Sequence, residues 1–115
     1  VSSTPRFLQG TYAFTGAGLE KTVPLEGLAG LQVPDGHRAQ TVYFRGGNPT
    51  EELVVVALLR DGVVMRLFPI GAKDAVHVPL SIVEDVEAPS TLELRVMAPE
   101  GLSGSVVVDL GVVEV

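Results

Sequence analysis

The chain has 115 residues, 46% of them hydrophobic and 19% charged, with no cysteine and a net charge of −6. That length fits one domain able to bury roughly two-thirds of the surface its unfolded chain exposes, and the apolar content argues against disorder. The missing cysteines exclude disulfides and thiolate metal sites. Lys21 and Lys73 are the only lysines and no basic cluster exists, which excludes nucleic acid and anionic membrane surfaces as partners.

No apolar run approaches the ~20 residues of a membrane span, and no signal-peptide pattern opens the sequence. The expected setting is therefore the cytoplasm or a virus particle, although a mature secreted domain would also lack a leader. Asn48 is the only asparagine and glutamines are few, a scarcity shared by thermophile proteins and by products of GC-rich genomes.

Residues 1–9 show no periodicity and read as an extended N-terminal arm, with Phe7 and Leu8 as anchors. A sandwich domain is expected over residues 10–115. Its first strand covers residues 11–15 and turns at Gly16-Ala17-Gly18. Residues 20–26 follow, with Val23 and Leu25 on one face and Pro24 marking an edge. A brief strand over 31–33 stops at Pro34-Asp35-Gly36, where proline presets φ and glycine accepts φ > 0.

Residues 38–45 form the next strand, and Gly46 to Pro49 the loop after it. The clearest hairpin joins residues 53–59 to 63–68 through Arg60-Asp61-Gly62, since Asp-Gly between apolar strands favours a type I′ turn. A strand over 75–80 follows, then an acidic loop over 84–90. Residues 91–97 alternate cleanly, with Leu92, Leu94 and Val96 inward and Glu93 and Arg95 outward.

The last strand, residues 105–115, places Val106, Val108 and Leu110 on one face, but Val113 and Val115 fall out of phase with them. A bulge at Gly111 would restore the phase. Pro69, Pro79, Pro89 and Pro99 recur at intervals of ten residues without a shared side-chain pattern. The rhythm is that of sandwich turns, not of a sequence repeat. No segment has helical periodicity beyond a single turn at 27–30 or 82–86. The fold expected is all-β, a single-domain antiparallel β-sandwich of jelly-roll type with about eight or nine short strands.

In such a sandwich each strand should keep one wet face. Residues 53–59 do not, because Val54, Val56 and Leu58 alternate with Leu53, Val55, Ala57 and Leu59. Milder versions occur at Val63-Val64-Met65 and Val106-Val107-Val108. Large exposed apolar patches are rare on soluble monomers. The expected cover is a second subunit, with the segments 46–52 or 27–31 as the intrachain alternative. The expected interface set is Phe7, Leu8, Leu53, Val55, Leu59, Val64, Phe68 and Val107.

Chemistry finds little support. His37 and His77 are the only histidines, no His-x-His pair exists, and no Gly-x-Ser-x-Gly elbow is present. Glu84, Asp85 and Glu87 make an acidic loop but lack the Asp/Asn alternation of a calcium loop. The glycine pairs precede strands, so no helix N-terminus faces a phosphate. No catalytic residue, cofactor or metal site is expected.

Two readings follow. The first is a non-enzymatic, homo-oligomeric assembly protein, such as a coat-decorating or tail component of a virus, contacting copies of itself and other proteins. The alternative is a ligand-binding module with carbohydrate as the first candidate, signalled by an exposed Tyr12 or Tyr43 beside Arg45 and Asn48. The lack of tryptophan weighs against that alternative.

Overall fold

The computed structural model describes residues 3–80 and 84–115. Among these, ten strands form and no helix: β1 (Thr4–Thr15), β2 (Gly18–Pro24), β3 (Leu31–Gln32), β4 (Arg38–Asn48), β5 (Val54–Arg60), β6 (Val63–Ile70), β7 (Asp74–Pro79), β8 (Asp85–Glu87), β9 (Thr91–Ala98) and β10 (Ser103–Glu114). They build two antiparallel sheets. The front sheet has the order β1-β10-β4-β7 with β8 on β4, and the back sheet β2-β9-β5-β6 with β3 on β9. First strand pairs with last and second with second-last, and the chain crosses between the sheets repeatedly, with β5 and β6 forming a hairpin within the back sheet. That nesting is the jelly-roll form of the sandwich. No helix among the described residues is long and apolar enough to cross a membrane.

Inward residues fill the space between the sheets. Phe14, Phe44, Val106, Val108, Leu110 and Val112 come from the front, and Val54, Val56, Leu58, Phe68, Ile70, Leu92, Leu94 and Val96 from the back. Strand alternation puts these at every second position, where β-branched and aromatic side chains pack well. At the centre Phe44 of β4 and Phe68 of β6 stack across the two sheets, ring centroids 4.2 Å apart and 9° from parallel. A Cβ on Gly46 would come within 2.7 Å of Ile70 Cδ1 and 2.8 Å of the Phe44 ring. The residue read as the start of a loop is therefore strand, and its missing side chain makes room for the stack.

Other differences from the sequence reading have local causes. The segment read as an arm is, from Thr4 onward, the outer half of β1, in unbroken register with β10 from Thr4↔Glu114 to Thr15↔Ser103. Leu8, Tyr12 and Phe14 point to the core side there, and Arg6 pairs with Glu114. The acidic loop holds a short strand, β8, paired to Arg38–Gln40 of β4. It raises the nine strands read in the sequence to ten. Leu28 N–H donates to the Leu25 carbonyl in a tight turn, so the single helical turn expected at 27–30 is a bend between β2 and β3. The turn weighed at 82–86 falls partly outside the described residues; Asp85 and Val86 belong to β8.

The hairpin turn is as expected. Asp61 and Gly62 both have positive φ, 49° and 81°, which is the type I′ signature. The irregularity at Gly111 exists, but on the opposite strand. Gly111 faces Tyr43 and Val112 faces Thr41, so Val42 is the extra residue and β4 bulges. The phase of β10 is unchanged: Val112 joins the core and Val113 does not. A similar slip between β5 and β6 makes Met65 the extra residue.

Asn48 ends β4 as a buried bracket. Its side-chain amide donates to the carbonyls of Glu52, Ile70 and Gly71 at 2.8, 3.0 and 3.1 Å. Its Oδ1 accepts from the Thr50 N–H and hydroxyl. This fixes the approach to β5 against the end of β6.

Two stability outcomes are expected. Phe44→Ala removes the central stack and should cost about 3–5 kcal/mol. Asn48→Ala leaves several polar groups without a partner and should cost about 2–3 kcal/mol. Urea titration checks both, the midpoint falling while the slope stays constant.

Candidate functional site

Two outer faces remain once the core is filled, and their chemistry differs. On the back sheet the outward residues of β5 and β6 meet in three successive rungs, Val55–Pro69, Ala57–Leu67 and Leu59–Val64. On the other side of β5 the same rungs continue to Met97, Arg95 and Glu93 of β9. Ala57 is fully buried and Leu59 only 4% exposed, because cross-strand neighbours on both sides close over them. The cover expected from a subunit or from segments 46–52 and 27–31 is thus supplied, for these two, by the sheet itself. The apolar surface moves one strand outward, to Leu67 at 52% and Val64 at 45% exposure, with Val63 and Leu53 exposed nearby.

The front sheet's outer face is aromatic and polar. Its rungs read Phe7–Gly111–Tyr43–Pro79, then Gln9–Asp109–Arg45–His77, then Thr11–Val107–Gly47–Ala75. The Tyr43 ring occupies the space where a side chain on Gly111 would stand, its Cε2 only 2.0 Å from the ideal Cβ position. The Tyr43 hydroxyl donates to Asp109 Oδ1 at 3.0 Å. Arg45 donates to Asp109 Oδ2 through Nη2 at 2.7 Å and Nε at 3.2 Å. The Arg45 guanidinium carbon also lies 5.3 Å from the Tyr43 centroid, and His77 meets the ring edge-on at 86° with centroids 6.2 Å apart.

The electrostatics follow the contacts. Burial raises the Tyr43 phenol above its ordinary range, and the Asp109 carboxylate adds to this by accepting its proton in a hydrogen bond. Arg45 is held more firmly protonated by its hydrogen bond and charge pairing with Asp109. Arg45 and Asp109 cancel, so this part of the face has no net charge.

The eight residues of the predicted interface do not form one surface. Leu8 and Phe68, 7% and 4% exposed, belong to the core and are corrected accordingly. Each lies on the inward phase of its strand, a phase that the neighbouring Phe7 and Pro69 left ambiguous in the sequence. Phe7 and Val107 stand exposed on the front face, whereas Val55, Leu59 and Val64 lie on the outer face of the back sheet, with exposed Leu53 just before β5. Among the exposed apolar residues outside the predicted set is Leu67, on the outer face of β6. Its alternation with Phe68 was visible, but the Met65 bulge hid which of the two points outward.

Other candidates fall apart in space. Asn48 is buried and saturated, and Tyr12 folds back over Gly10 with its hydroxyl on the Gln9 carbonyl at 2.8 Å. Tyr43 and Arg45 alone remain of that predicted group. His37 precedes Arg38 at the start of β4 while His77 faces Arg45, roughly 25 Å further along the strand at about 3.3 Å per residue. They do not converge. In the acidic loop Asp85 accepts from Gln40 and pairs with Arg38, and Glu84 pairs with Arg66. No group of three metal-ligating side chains comes together among the described residues.

No protein-family model matches the chain, and no curated protein matches it. Solved structures do resemble it in fold. The infectious bursal disease virus Gx strain structure is 13% identical with a TM-score of 0.49, covering 97% of this chain and 32% of its own. The VP2 subviral particle of that virus is 10% identical with a TM-score of 0.49 over the same shares, 97% and 32%. This chain thus spans about a third of the length of those two proteins, 32%. A family 35 carbohydrate-binding module from Clostridium thermocellum is 18% identical, with a TM-score of 0.47 over 95% of this chain and 97% of that one. The likeness is one of chain course alone.

Proposed function

We propose that this chain is a non-catalytic assembly module that associates with copies of itself through the outer face of β5 and β6. The single observation that supports the reading is the run of apolar rungs there, edged by the exposed Leu67 and Val64 and rimmed by Glu93 and Arg95. An aliphatic strip with a charged margin has the composition of an interface core and its polar rim. Under water it would leave large side chains solvated on a face that could bury them at about 25 cal/mol per Å². A two-fold contact of like strips needs no second surface, because a symmetric interface is self-complementary. A component of a larger particle, such as a virus coat-decorating or tail protein, is the setting this reading fits.

A second reading, a ligand-binding module with carbohydrate as the ligand, is favoured by one observation. The Arg45 guanidinium lies over the Tyr43 ring on the front face, with Phe7 and Gln9 on the same two rungs.

Sedimentation velocity at micromolar concentration is the test of the first reading. The expected result is a dimer or larger species that Leu67→Asp combined with Val64→Asp converts to monomer. Both positions are exposed, so the change in folding stability should stay within about 0.5 kcal/mol. A wild-type chain that remains monomeric across the micromolar range overturns the reading.

A further inference from the structure

On one side of the sandwich the outermost strands of the two sheets, β6 and β7, lie side by side without hydrogen-bonding to each other. A cleft of about 450 Å³ opens there. Leu67, Phe68 and Pro69 line it from β6, and Val78, Pro79 and the following Leu80 line it from the other sheet. Phe68 is buried at its base, while Leu67, Pro69 and Pro79 are exposed at its lips. Among the described residues Arg66 alone brings a charge to the lining, and it already pairs with Glu84.

A cleft lined in this way takes an uncharged apolar group, because a polar one would lose its water without gaining a partner. It does not take a strand. Pro69 and Pro79 have no N–H to offer, and Met65 bulges β6 out of regular spacing. What fits is an apolar side chain, and β6 itself carries one. Val63, beside the Asp61-Gly62 turn, is 70% exposed, more than any other large hydrophobic among the described residues.

We infer that the cleft receives Val63 of a second copy, and that two copies close on each other through a two-fold contact centred on β6. This step rests on the self-association proposed above and assigns its register. Val63 precedes Phe68 by five residues, about 16 Å along the strand. A two-fold axis crossing β6 beside Met65 and Arg66 lays the two strands antiparallel, with each Val63 at the other copy's cleft. One operation fills both clefts, so the contact closes as a dimer instead of growing. Area argues the same way. Leu67 and Val64 are only two side chains, each about half exposed, whereas a stable interface buries about 800 Å² on each partner. Including Val63 and both walls of the cleft brings β6, β7 and the hairpin end into the contact. Arg60 and Asp61, which share a hollow with Val63, then stand at its polar rim.

The chain has no cysteine, so introduced cysteines report the register directly. Val63→Cys and Leu67→Cys both change exposed positions, where folding tolerates substitution. Within one chain the two lie about 13 Å apart along β6, beyond the ~7 Å that a disulfide spans. Under mild oxidation neither single variant should cross-link, because each residue lies about 10 Å or more from its own copy along the strand. An equal mixture of the two should give a disulfide-linked dimer, and so should the double variant, with no longer ladder. In sedimentation equilibrium Val63→Asp should weaken the dimer by about tenfold or more, while Val107→Asp on the front face should leave it unchanged.

A dimer in which either single variant links to itself, or in which the mixture does not link, overturns the inference and leaves association through β5 and β6 standing. A ladder from the double variant overturns it too, since the contact would then run head to tail. So does a dimer that Val63→Asp does not weaken. A wild-type chain that stays monomeric overturns both the inference and the reading beneath it. If 1-octanol then moves the amide signals of Leu67, Phe68, Val78 and Leu80, the cleft is a site for small apolar molecules instead.

Discussion

The stack of Phe44 on Phe68 is the contact around which the sandwich is arranged. It joins β4, an inner strand of the front sheet, to β6, the outermost of the back sheet, and so closes the two layers at a point where they could splay. Aromatic pairs contribute beyond the area they bury because their quadrupoles favour particular offsets. The geometry also makes demands elsewhere. Gly46 must lack a side chain so that the Phe44 ring and Ile70 can fit above it. Adjacent residues on a strand point to opposite faces, so Tyr43 must then lie on the outer surface, where Gly111 gives it the same kind of opening. One dipeptide, Tyr43-Phe44, therefore places an aromatic ring over a glycine on each face of the same sheet.

The two outer faces diverge for reasons that begin in composition. β5 is apolar at every position from Val54 to Leu59, which suits a strand covered on both sides. Its outward residues at 57 and 59 are sealed by neighbours on β9 and β6, and the unsealed surface is passed to β6, which has no further neighbour. β10 and β4 instead alternate aliphatic residues inward with Asp109, Arg45 and Tyr43 outward. Their polar groups find one another across the rungs, and none remains buried without a partner among the described residues. The front face is thus ordered and internally satisfied, while the back face carries exposed aliphatic surface. Those are different physical starting points for recognition, and one domain holds both.

Strand alternation made much of this readable beforehand. Thr91 to Met97 alternated cleanly and became the central β9. Asp61-Gly62 specified a turn that needs two positive φ values, and both are present. What could not be read were features decided by a partner strand. The phase conflict near Gly111 is resolved by an extra residue on β4, sixty-odd residues away in sequence, where Val42 offers no local sign of a bulge. The outer half of the first strand escaped notice because its inward face is Leu8, Gly10, Tyr12 and Phe14, a row whose gap at Gly10 is filled by the Tyr12 ring folding back. The interface set mixed two opposite surfaces with the core because period-two reasoning assigns parity within a strand but not which parity faces inward. That choice is made by the other sheet. Tyr43 and Arg45 were legible as a pair, since residues two apart on a strand share a face, whereas Asp109 and His77 joined them only through register.

The strand edges bear on how such a domain could associate. An unpaired edge is a template for another strand, and sandwiches that stay soluble guard theirs. β2 carries Glu20, Lys21 and Pro24, β7 ends in Pro79, and β6 has both a bulge at Met65 and Pro69. β1 is the long one, and its guard is less obvious. The Ala13 carbonyl accepts from the Glu26 N–H, so Ala13 turns its backbone groups away from β10. By antiparallel alternation Thr11, Gln9, Phe7 and Pro5 do the same. Of these, the Gln9 carbonyl is taken by the Tyr12 hydroxyl and Pro5 has no N–H to offer. A strand arriving at β1 would meet a ladder already interrupted at Pro5, Gln9 and Ala13. With all four outer strands blunted, edge-to-edge growth is disfavoured, and faces are left as the surfaces through which copies can meet. The most apolar of those faces is the outer side of β5 and β6, and a contact made there leaves the outer face of the front sheet, with Tyr43 and Arg45, open to solvent.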